Sequence, residues 1–262
     1  MSLINCSRNR CPGLAETPQT AGASTPVVAL QDVVFAYPGA ARPALSVARF
    51  VIHPGEKVFL RGPSGTGKTT LLGIVAGIHT PQRGRVSVLG QDLTKMPHSA
   101  RDGFRGRHIG YIFQMFNLIP YLNVWDNVLI QCDLLGRRTS ERLGRAEALL
   151  EHLGLADERW RAVTELSVGQ QQRVAAARAL VLQPELVIAD EPTSALDTEL
   201  RAAFLEALFD LCSENRSALL FVSHDPALHE HFDTVIELSA INSAASVARP
   251  QSRPGVSGVP DP

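Results

Sequence analysis

The sequence predicts an α/β fold: a parallel central sheet with a β-rich subdomain and a helical subdomain. LVIAD at 186–190 and ALLFVS at 218–223 are nearly unbroken apolar runs, as expected of parallel strands covered on both faces. EALLEHLGL at 147–155 has apolar residues at helical spacing, which indicates helices in the middle of the chain. The 262 residues, of which 45% are hydrophobic, suffice for a large core.

The remaining elements follow from local patterns in chain order. The first part is β-rich, with strands predicted at 30–37, 48–52, 57–62 and 85–90. The helical subdomain is predicted at about 115–170, and the last part adds a helix near 198–213 and a strand at 234–238. Residues 1–26 and 240–262 are rich in Pro, Ser, Gly and Ala, so they are expected to be disordered tails around a folded unit at 27–239.

Composition narrows the possible partners. The formal net charge is −1, which gives a nucleic-acid partner no electrostatic support. No apolar run reaches the roughly 18 residues that a membrane span needs, so any membrane role requires spans from another chain. The four cysteines have neither metal-ligand spacing nor a disulfide pattern, which is typical of a reducing cytoplasm.

The segment GPSGTGKT follows the predicted strand KVFLR and precedes the helical segment TTLLGIVAGI. It matches the complete phosphate-binding pattern G-x-x-x-x-G-K-[ST] in the required strand–loop–helix context. The glycines let backbone N–H groups surround phosphates, Lys68 reaches the β and γ oxygens, and the Thr69 hydroxyl binds Mg²⁺. The sequence therefore predicts a P-loop NTPase whose ATP-binding residues include Gly62, Pro63, Ser64, Gly65, Thr66, Gly67, Lys68, Thr69 and Thr70.

Two carboxylates end the apolar strand LVIAD. Asp190 at the strand tip can hold Mg²⁺, and Glu191 can take a proton from an attacking water. Standing alone, this pattern would indicate only a strand with an acidic end. Beside a phosphate loop, it predicts a nucleotide site that hydrolyses its ligand.

The segment ELSVGQQQRV at 165–174 is a helix start suited to an anion. Ser167 and Gly169 precede a helical run, where unpaired N–H groups and the helix dipole favour negative charge. The three glutamines at 170–172 add donors without charge. This sequence neighbourhood contains no lysine, so the motif alone does not say which anion binds.

Together with LVIADEPTSALD and FVSHD, this segment resembles the nucleotide-binding subunits of ATP-binding-cassette (ABC) transporters over residues 27–239. The resemblance implies that two chains pack head to tail around two ATP molecules. The signature segment of one chain then binds the γ-phosphate held by Lys68 of the other. The signature residues are Leu166, Ser167, Val168, Gly169 and Gln170.

The resemblance assigns further positions one at a time. Tyr37 matches the aromatic residue that stacks on adenine, and Gln114 matches the glutamine that contacts Mg²⁺ or water. His224 matches the switch histidine beside the γ-phosphate, and Glu191 is the implied catalytic base. The loop implied to cross the dimer interface contains Ser194, Ala195, Leu196 and Asp197.

Val168 stands where the family usually has glycine. A valine would be costly if this position needed a positive φ, and tolerated if the backbone is helical. Because Ser167 and Gly169 are retained, we expect a functional signature.

The segments RHIGYIFQ (107–114) and FNLIPYLNVWDNV (116–128) resemble the lipoprotein-release and macrolide-export group. That resemblance implies a separate membrane permease, a periplasmic adaptor as a further candidate partner, and a place at the cytoplasmic face of the inner or plasma membrane. Amino-acid importers share much of this pattern and remain an alternative. Soluble translation or repair ATPases are a weaker alternative, because this chain has one core and no long coiled coil.

Several large apolar residues follow Gln114. They are either the core of the helical subdomain or a groove for a short helix of the membrane subunit. The residues concerned are Phe116, Leu118, Ile119, Tyr121 and Trp125.

Overall fold

The computed structural model describes residues 25–246 and contains two sheets. The strands are β1 (Val28–Phe35), β2 (Leu45–Ile52), β3 (Lys57–Arg61), β4 (Arg83–Val88), β5 (Gln91–Asp92), β6 (Ile109–Ile112), β7 (Leu186–Asp190), β8 (Ala218–Val222) and β9 (Thr234–Glu237). The first sheet has the antiparallel order β2-β1-β4-β5, and the second has the parallel order β6-β7-β8-β3-β9. All the predicted strands are present.

The parallel sheet is covered on both faces, as predicted. Along β7, Val187 and Ala189 belong to the core shared with the helical subdomain. The alternating residues Leu186 and Ile188 belong to the core shared with the antiparallel sheet. Because side chains alternate along a strand, a continuous apolar run is the pattern expected of such a two-sided position.

The helices surround this sheet. They are α1 (Lys68–Val75), α2 (His98–His108), α3 (Val124–Leu134), α4 (Ser140–His152), α5 (Val168–Leu180), α6 (Thr198–Asn215), α7 (Leu238–Ile241) and α8 (Ser243–Ser246). The predicted helical subdomain consists of α3, α4 and the start of α5. Helix α2 was not predicted, because it buries only Arg101 and Phe104 and therefore lacks an apolar stripe.

Ordered structure continues beyond residue 239, where the folded unit was predicted to end. Helices α7 and α8 extend the folded part to residue 246, and Asn242 between them is only 1% exposed. The apolar periodicity fades after Leu238 because this segment is held by polar backbone and side-chain contacts and not by an apolar stripe. Residues 1–24 and 247–262, predicted to be disordered, lie outside the described residues.

Within residues 25–246, no helix combines the length and the apolar character that a membrane crossing requires.

Candidate active site

The predicted site residues follow the carboxyl ends of four parallel strands. The phosphate loop follows β3, Gln114 follows β6, Glu191 follows β7, and His224 follows β8. Parallel strands end at the same edge of a sheet, where open α/β proteins bind their ligands. The strand order therefore explains why residues far apart in sequence meet.

They line one cleft of about 600 Å³. The loop residues Gly62, Pro63 and Thr66 are not among its lining residues, and neither are the signature residues. The lining residues are Tyr37, Ala44, Ser64, Gly65, Gly67, Lys68, Thr69, Thr70, Gln114, Asp190, Glu191 and His224.

The phosphate loop is a curled turn that ends at the first residue of α1. Gly65 has φ 78° and Gly67 has φ 101°, a region that L side chains rarely adopt. A Cβ at Gly67 would lie 2.9 Å from the carbonyl oxygen of Ala44, so this position also requires the absence of a side chain. Lys68 Nζ donates to the carbonyls of Gly62 (2.7 Å) and Pro63 (3.2 Å). The loop thus presents its N–H groups, its ammonium group and a helix N-terminus to the cleft.

Tyr37, predicted to stack on adenine, is 43% exposed at the rim of this cleft. Its hydroxyl lies 3.0 Å from Thr70 Oγ1. Its ring packs edge-on against Phe35 and against His79, with centroids 5.0 and 5.7 Å apart. His79 belongs to none of the sequence motifs, and its contact with the Tyr37 ring holds that ring from one side.

Asp190 has the oxygen environment expected of a magnesium ligand. Burial and, to a lesser extent, the charge of Glu191 raise the pKa of its carboxyl group, although nearby Lys68 and a hydrogen bond from Thr69 oppose the shift. A hydroxyl and a carboxylate side by side are ligands that Mg²⁺ accepts, and the Gln114 amide lines the same cleft. These residues therefore fit the predicted cation.

Glu191 and His224 form a pair within the cleft. His224 Nδ1 lies 2.8 Å from Glu191 Oε2, and since an ionised carboxylate can only accept, the imidazole donates. Glu191 is largely shielded, with its side chain 12% exposed, whereas His224 is 71% exposed. Glu191 also has φ 48°, a conformation that costs energy for any residue with a Cβ and is concentrated at functional sites.

Replacing Asp190 by Asn should stabilise the nucleotide-free protein. A raised pKa means that the protonated form is favoured by folding. Its stability contribution is present at low pH and is lost as the pH rises through the folded-state pKa. At neutral pH the charged group is therefore a cost, and the variant should melt at a higher temperature, by about 2–4 °C for each kcal/mol of this cost that is removed.

Thermal unfolding at several pH values measures this effect, which should shrink toward acid pH. Asp210→Asn, an exposed site on α6, makes the same charge change and should leave the melting temperature unaltered. A lower melting temperature for Asp190→Asn would contradict the prediction.

The signature residues lie at the N-terminus of α5, outside their own cleft. Ser167 and Gln170 form a capping box. The Gln170 N–H donates to Ser167 Oγ (3.3 Å), and the Ser167 N–H donates to Gln170 Oε1 (2.9 Å). Ser167 is exposed while Leu166 and Gly169 are buried. The anion site predicted at this helix start thus lies outside the nucleotide cleft of its own chain.

The predicted interface loop packs against the signature. A Cβ at Gly169 would lie 3.6 Å from Leu196 Cδ2, and Leu196 is buried. Asp197 caps α6 by accepting the Leu200 N–H at 2.9 Å. Ser194 and Ala195, just before Leu196, are exposed. Arg201, which the sequence analysis missed, donates to the Leu196 carbonyl and pairs with Asp225, the neighbour of His224.

Val168→Gly should change ATPase turnover by less than about threefold. At an exposed helical position, the free energies of helix formation of glycine and valine differ by less than about 1 kcal/mol. Val168 is the first residue of α5, it is 46% exposed, and it is not among the seven non-glycine residues with positive φ in the described chain. Steady-state ATPase assays measure this. A gain of about tenfold or more, equal to 1.4 kcal/mol, would show that valine impairs the signature.

A second missed residue, Arg178, connects α5 to the segment after Gln114. Its guanidinium donates to the carbonyls of Phe116 and Asn117, at 2.6 Å each. Both of those residues have positive φ. Burial lowers the pKa of Arg178. A lone arginine in the apolar run AAARALVL is the only sequence signal for this contact, because its partners lie 61 and 62 positions away.

The parallel sheet, the phosphate loop and the carboxylate pair define a P-loop nucleotide-binding protein. The profile of the family described as "ABC transporter" matches residues 45–194. The ABC transporter ATP-binding protein YbbA of Escherichia coli K12 is 41% identical over 194 residues, covering 74% of this chain and 85% of the relative.

The lipoprotein-releasing system ATP-binding protein LolD 1 of Rhodopirellula baltica is 38% identical over 215 residues, or 81% of this chain and 93% of the relative. A solved dimeric structure of the ATP-binding cassette MJ0796, bound to ADP and Pi, matches with a TM-score of 0.73. It is 32% identical and covers 80% of this chain and 93% of that one. This chain belongs to the ABC transporter family and is one of its ATPases.

Proposed function

We propose that this chain is the ATP-hydrolysing subunit of a lipoprotein-release or export type of ABC transporter, working as a head-to-tail homodimer beneath a separate permease. The observation that carries the proposal is the meeting of Lys68, Asp190, Glu191 and His224 in one cleft while the signature lies outside it. A subunit that only bound nucleotide would not need the Glu191–His224 pair.

The phosphate loop binds the nucleotide. Its N–H groups, the Lys68 ammonium and the N-terminus of α1 neutralise the phosphates of ATP. Thr69, Asp190 and Gln114 would hold Mg²⁺, which would neutralise negative charge on the phosphates of ATP. Tyr37 stacks on the adenine.

Hydrolysis requires a water in line with the β–γ bond. Glu191 accepts a proton from this water, and the hydrogen bond from His224 Nδ1 fixes the position of the carboxylate. The water oxygen bonds to the γ-phosphorus and the bridging oxygen leaves with ADP. Because His224 is the more exposed member of the pair, it lies toward the open mouth where the second subunit closes the site.

The second subunit supplies the signature. Ser167 and Gly169 of one chain and Lys68 of the other enclose each γ-phosphate, and the loop Ser194–Asp197 connects the two sites. The dimeric state of the structurally similar cassette supports this arrangement. The position of the signature outside the cleft of its own chain, with Ser167 exposed, also supports it.

The permease docks beside Gln114. Of the apolar residues predicted there, Trp125 is buried against Trp160, Phe116, Leu118 and Ile119 are half-buried, and Tyr121 is 85% exposed. The neighbouring Met115 is 80% exposed. Trp125 therefore belongs to the core, and the exposed residues offer an apolar surface to a short helix of the membrane subunit. Similarity to the lipoprotein-releasing ATP-binding proteins supports the export branch and a place at the cytoplasmic face of the inner membrane. On the opposite side of that membrane, a periplasmic adaptor is the further partner of the permease.

The test captures the permease with tagged Glu191→Gln protein and Mg-ATP from detergent-solubilised membranes of the source cell, with mass spectrometry as the readout. The same protein without Mg-ATP is the matched control. We expect an ATP-dependent permease with few spans and a large extracytoplasmic domain.

A permease of the multi-span import type would instead assign the subunit to uptake. Recovery of the dimer without any membrane protein would favour a soluble ATPase and contradict the proposal.

A further inference from the structure

The segment after β9 is attached to the nucleotide site. Helices α7 and α8 lie against β2, and between them Asn242 forms an isolated antiparallel bridge with Val47. The side chain of Asn242 is almost completely buried, at 1% exposure. A polar residue that deep must be hydrogen-bonded or it destabilises the fold.

The amide of Asn242 makes four hydrogen bonds. Its Nδ2 donates to the carbonyls of Thr66 (2.9 Å) and Ala44 (3.2 Å). Its Oδ1 accepts the N–H groups of Ser46 (2.8 Å) and Ala244 (3.2 Å). Two donors and two acceptor positions are the full capacity of this side chain. The contact is therefore specific for an amide, and it joins the C-terminal segment, β2 and the phosphate loop.

The contact with Thr66 determines how the loop presents its next N–H. The peptide between Thr66 and Gly67 is trans and planar, so its C=O and N–H point in opposite directions. Asn242 holds the carbonyl on the protein side. Gly67 lines the cleft, and its N–H has no protein acceptor among the hydrogen bonds of residues 25–246. The Gly67 N–H is thereby left available to an acceptor in the cleft.

We propose that Asn242 is a positioning residue for nucleotide binding. It touches the phosphate loop and not the nucleotide, and it holds the Thr66–Gly67 peptide in the orientation that the phosphates require. This inference rests on the proposed role of the cleft. Binding of Mg-ADP by the unaltered protein is the separate test of that role.

The experiment measures the dissociation constant of Mg-ADP by calorimetry for Asn242→Leu and Asn242→Asp. Leucine removes all four hydrogen bonds at similar volume. Aspartate keeps the shape and the acceptor oxygen but turns the two donors to Thr66 and Ala44 into a repelling oxygen. We expect both variants to weaken binding by about tenfold or more, and to raise the KM for ATP by a larger factor than they lower kcat.

The matched control is Asn127→Leu. Asn127 is also fully buried, and its amide also makes four hydrogen bonds, none of them to a residue that lines the cleft. Its partners are the N–H of Ile119 and the carbonyls of Ile119, Leu122 and Asn123. This variant should lose thermal stability comparably and keep its Mg-ADP affinity within about twofold.

Three results would overturn the inference: unchanged Mg-ADP affinity in Asn242→Leu, equal weakening in Asn127→Leu, or weakening by aspartate that disappears in 1 M salt. The last would identify a charge effect, since the Debye length is then about 3 Å. If the leucine variant does not fold, the Mg-ADP affinity of Asn242→Asp, compared with that of the unaltered protein at high salt, decides the question. Failure of the unaltered protein to bind Mg-ADP would contradict the proposed function.

Discussion

Glu191→Gln should lose ATP turnover by about 10²–10³-fold while keeping ATP affinity. Glutamine has nearly the same shape but cannot accept the proton of the attacking water, and the phosphate loop is left intact. With hydrolysis blocked, two chains should remain closed around two ATP molecules. Single-turnover assays measure the chemical step, and size-exclusion chromatography with light scattering detects the long-lived dimer.

Glu185→Gln is a matched control, because Glu185 also pairs with a histidine: His108 Nδ1 lies 3.1 Å from its Oε2. Glu185 precedes β7, at the end of the strand opposite Glu191, so its replacement should leave turnover unchanged. A strictly monomeric Glu191→Gln protein at saturating Mg-ATP would count against Glu191 as the base. Turnover within a few-fold of the unaltered enzyme would do the same.

Ser167→Arg should keep ATP binding and lose most turnover, by more than about tenfold. Ser167 is exposed at the N-terminus of α5 and does not line its own cleft, so a bulky cation there does not reach the nucleotide of its own chain. It should block closure on the nucleotide of the partner. Nucleotide affinity and turnover are measured separately to distinguish the two effects.

Thr139→Arg is the control for the loss of a helix cap. Thr139 caps α4 through its side chain as Ser167 caps α5, so both variants lose about 1 kcal/mol of capping, but only Ser167 is in the signature. Mixing Ser167→Arg with Glu191→Gln protein is a sharper test. A head-to-tail dimer of the two has one site with both required residues, so activity should reappear. If mixing restores nothing, the signature does not act in trans.

The nucleotide cleft was predictable because its chemistry is concentrated in short contiguous segments. The phosphate loop with Lys68 follows the apolar strand β3, Asp190 ends β7, and His224 lies just after β8, and parallel strands place their carboxyl ends together. The unbroken apolar run from Leu186 to Ala189 likewise predicts a sheet that is covered on both faces, and its residues do divide between two cores. These features could therefore be inferred without knowing any contact between residues that are distant in sequence.

Other features depend on contacts that no local pattern contains. Asn242 lies in the polar segment SAINSAAS, and its partners Ala44 and Thr66 are 198 and 176 positions away. The φ of 48° at Glu191 follows from the surrounding packing, since nothing in its residue type favours it. Helix α2 has too few apolar residues to show a period.

Helix α5 has a consequence for the whole dimer. In the proposed dimer its first turn meets the γ-phosphate held by the partner. Arg178, near its other end, holds the backbone just after Gln114, the proposed Mg²⁺ contact of its own chain. Thirteen helical residues form a stiff rod about 20 Å long. In that arrangement, a tilt of this rod at one nucleotide moves the Gln114 segment at the other. We therefore expect the two ATP molecules to be consumed cooperatively.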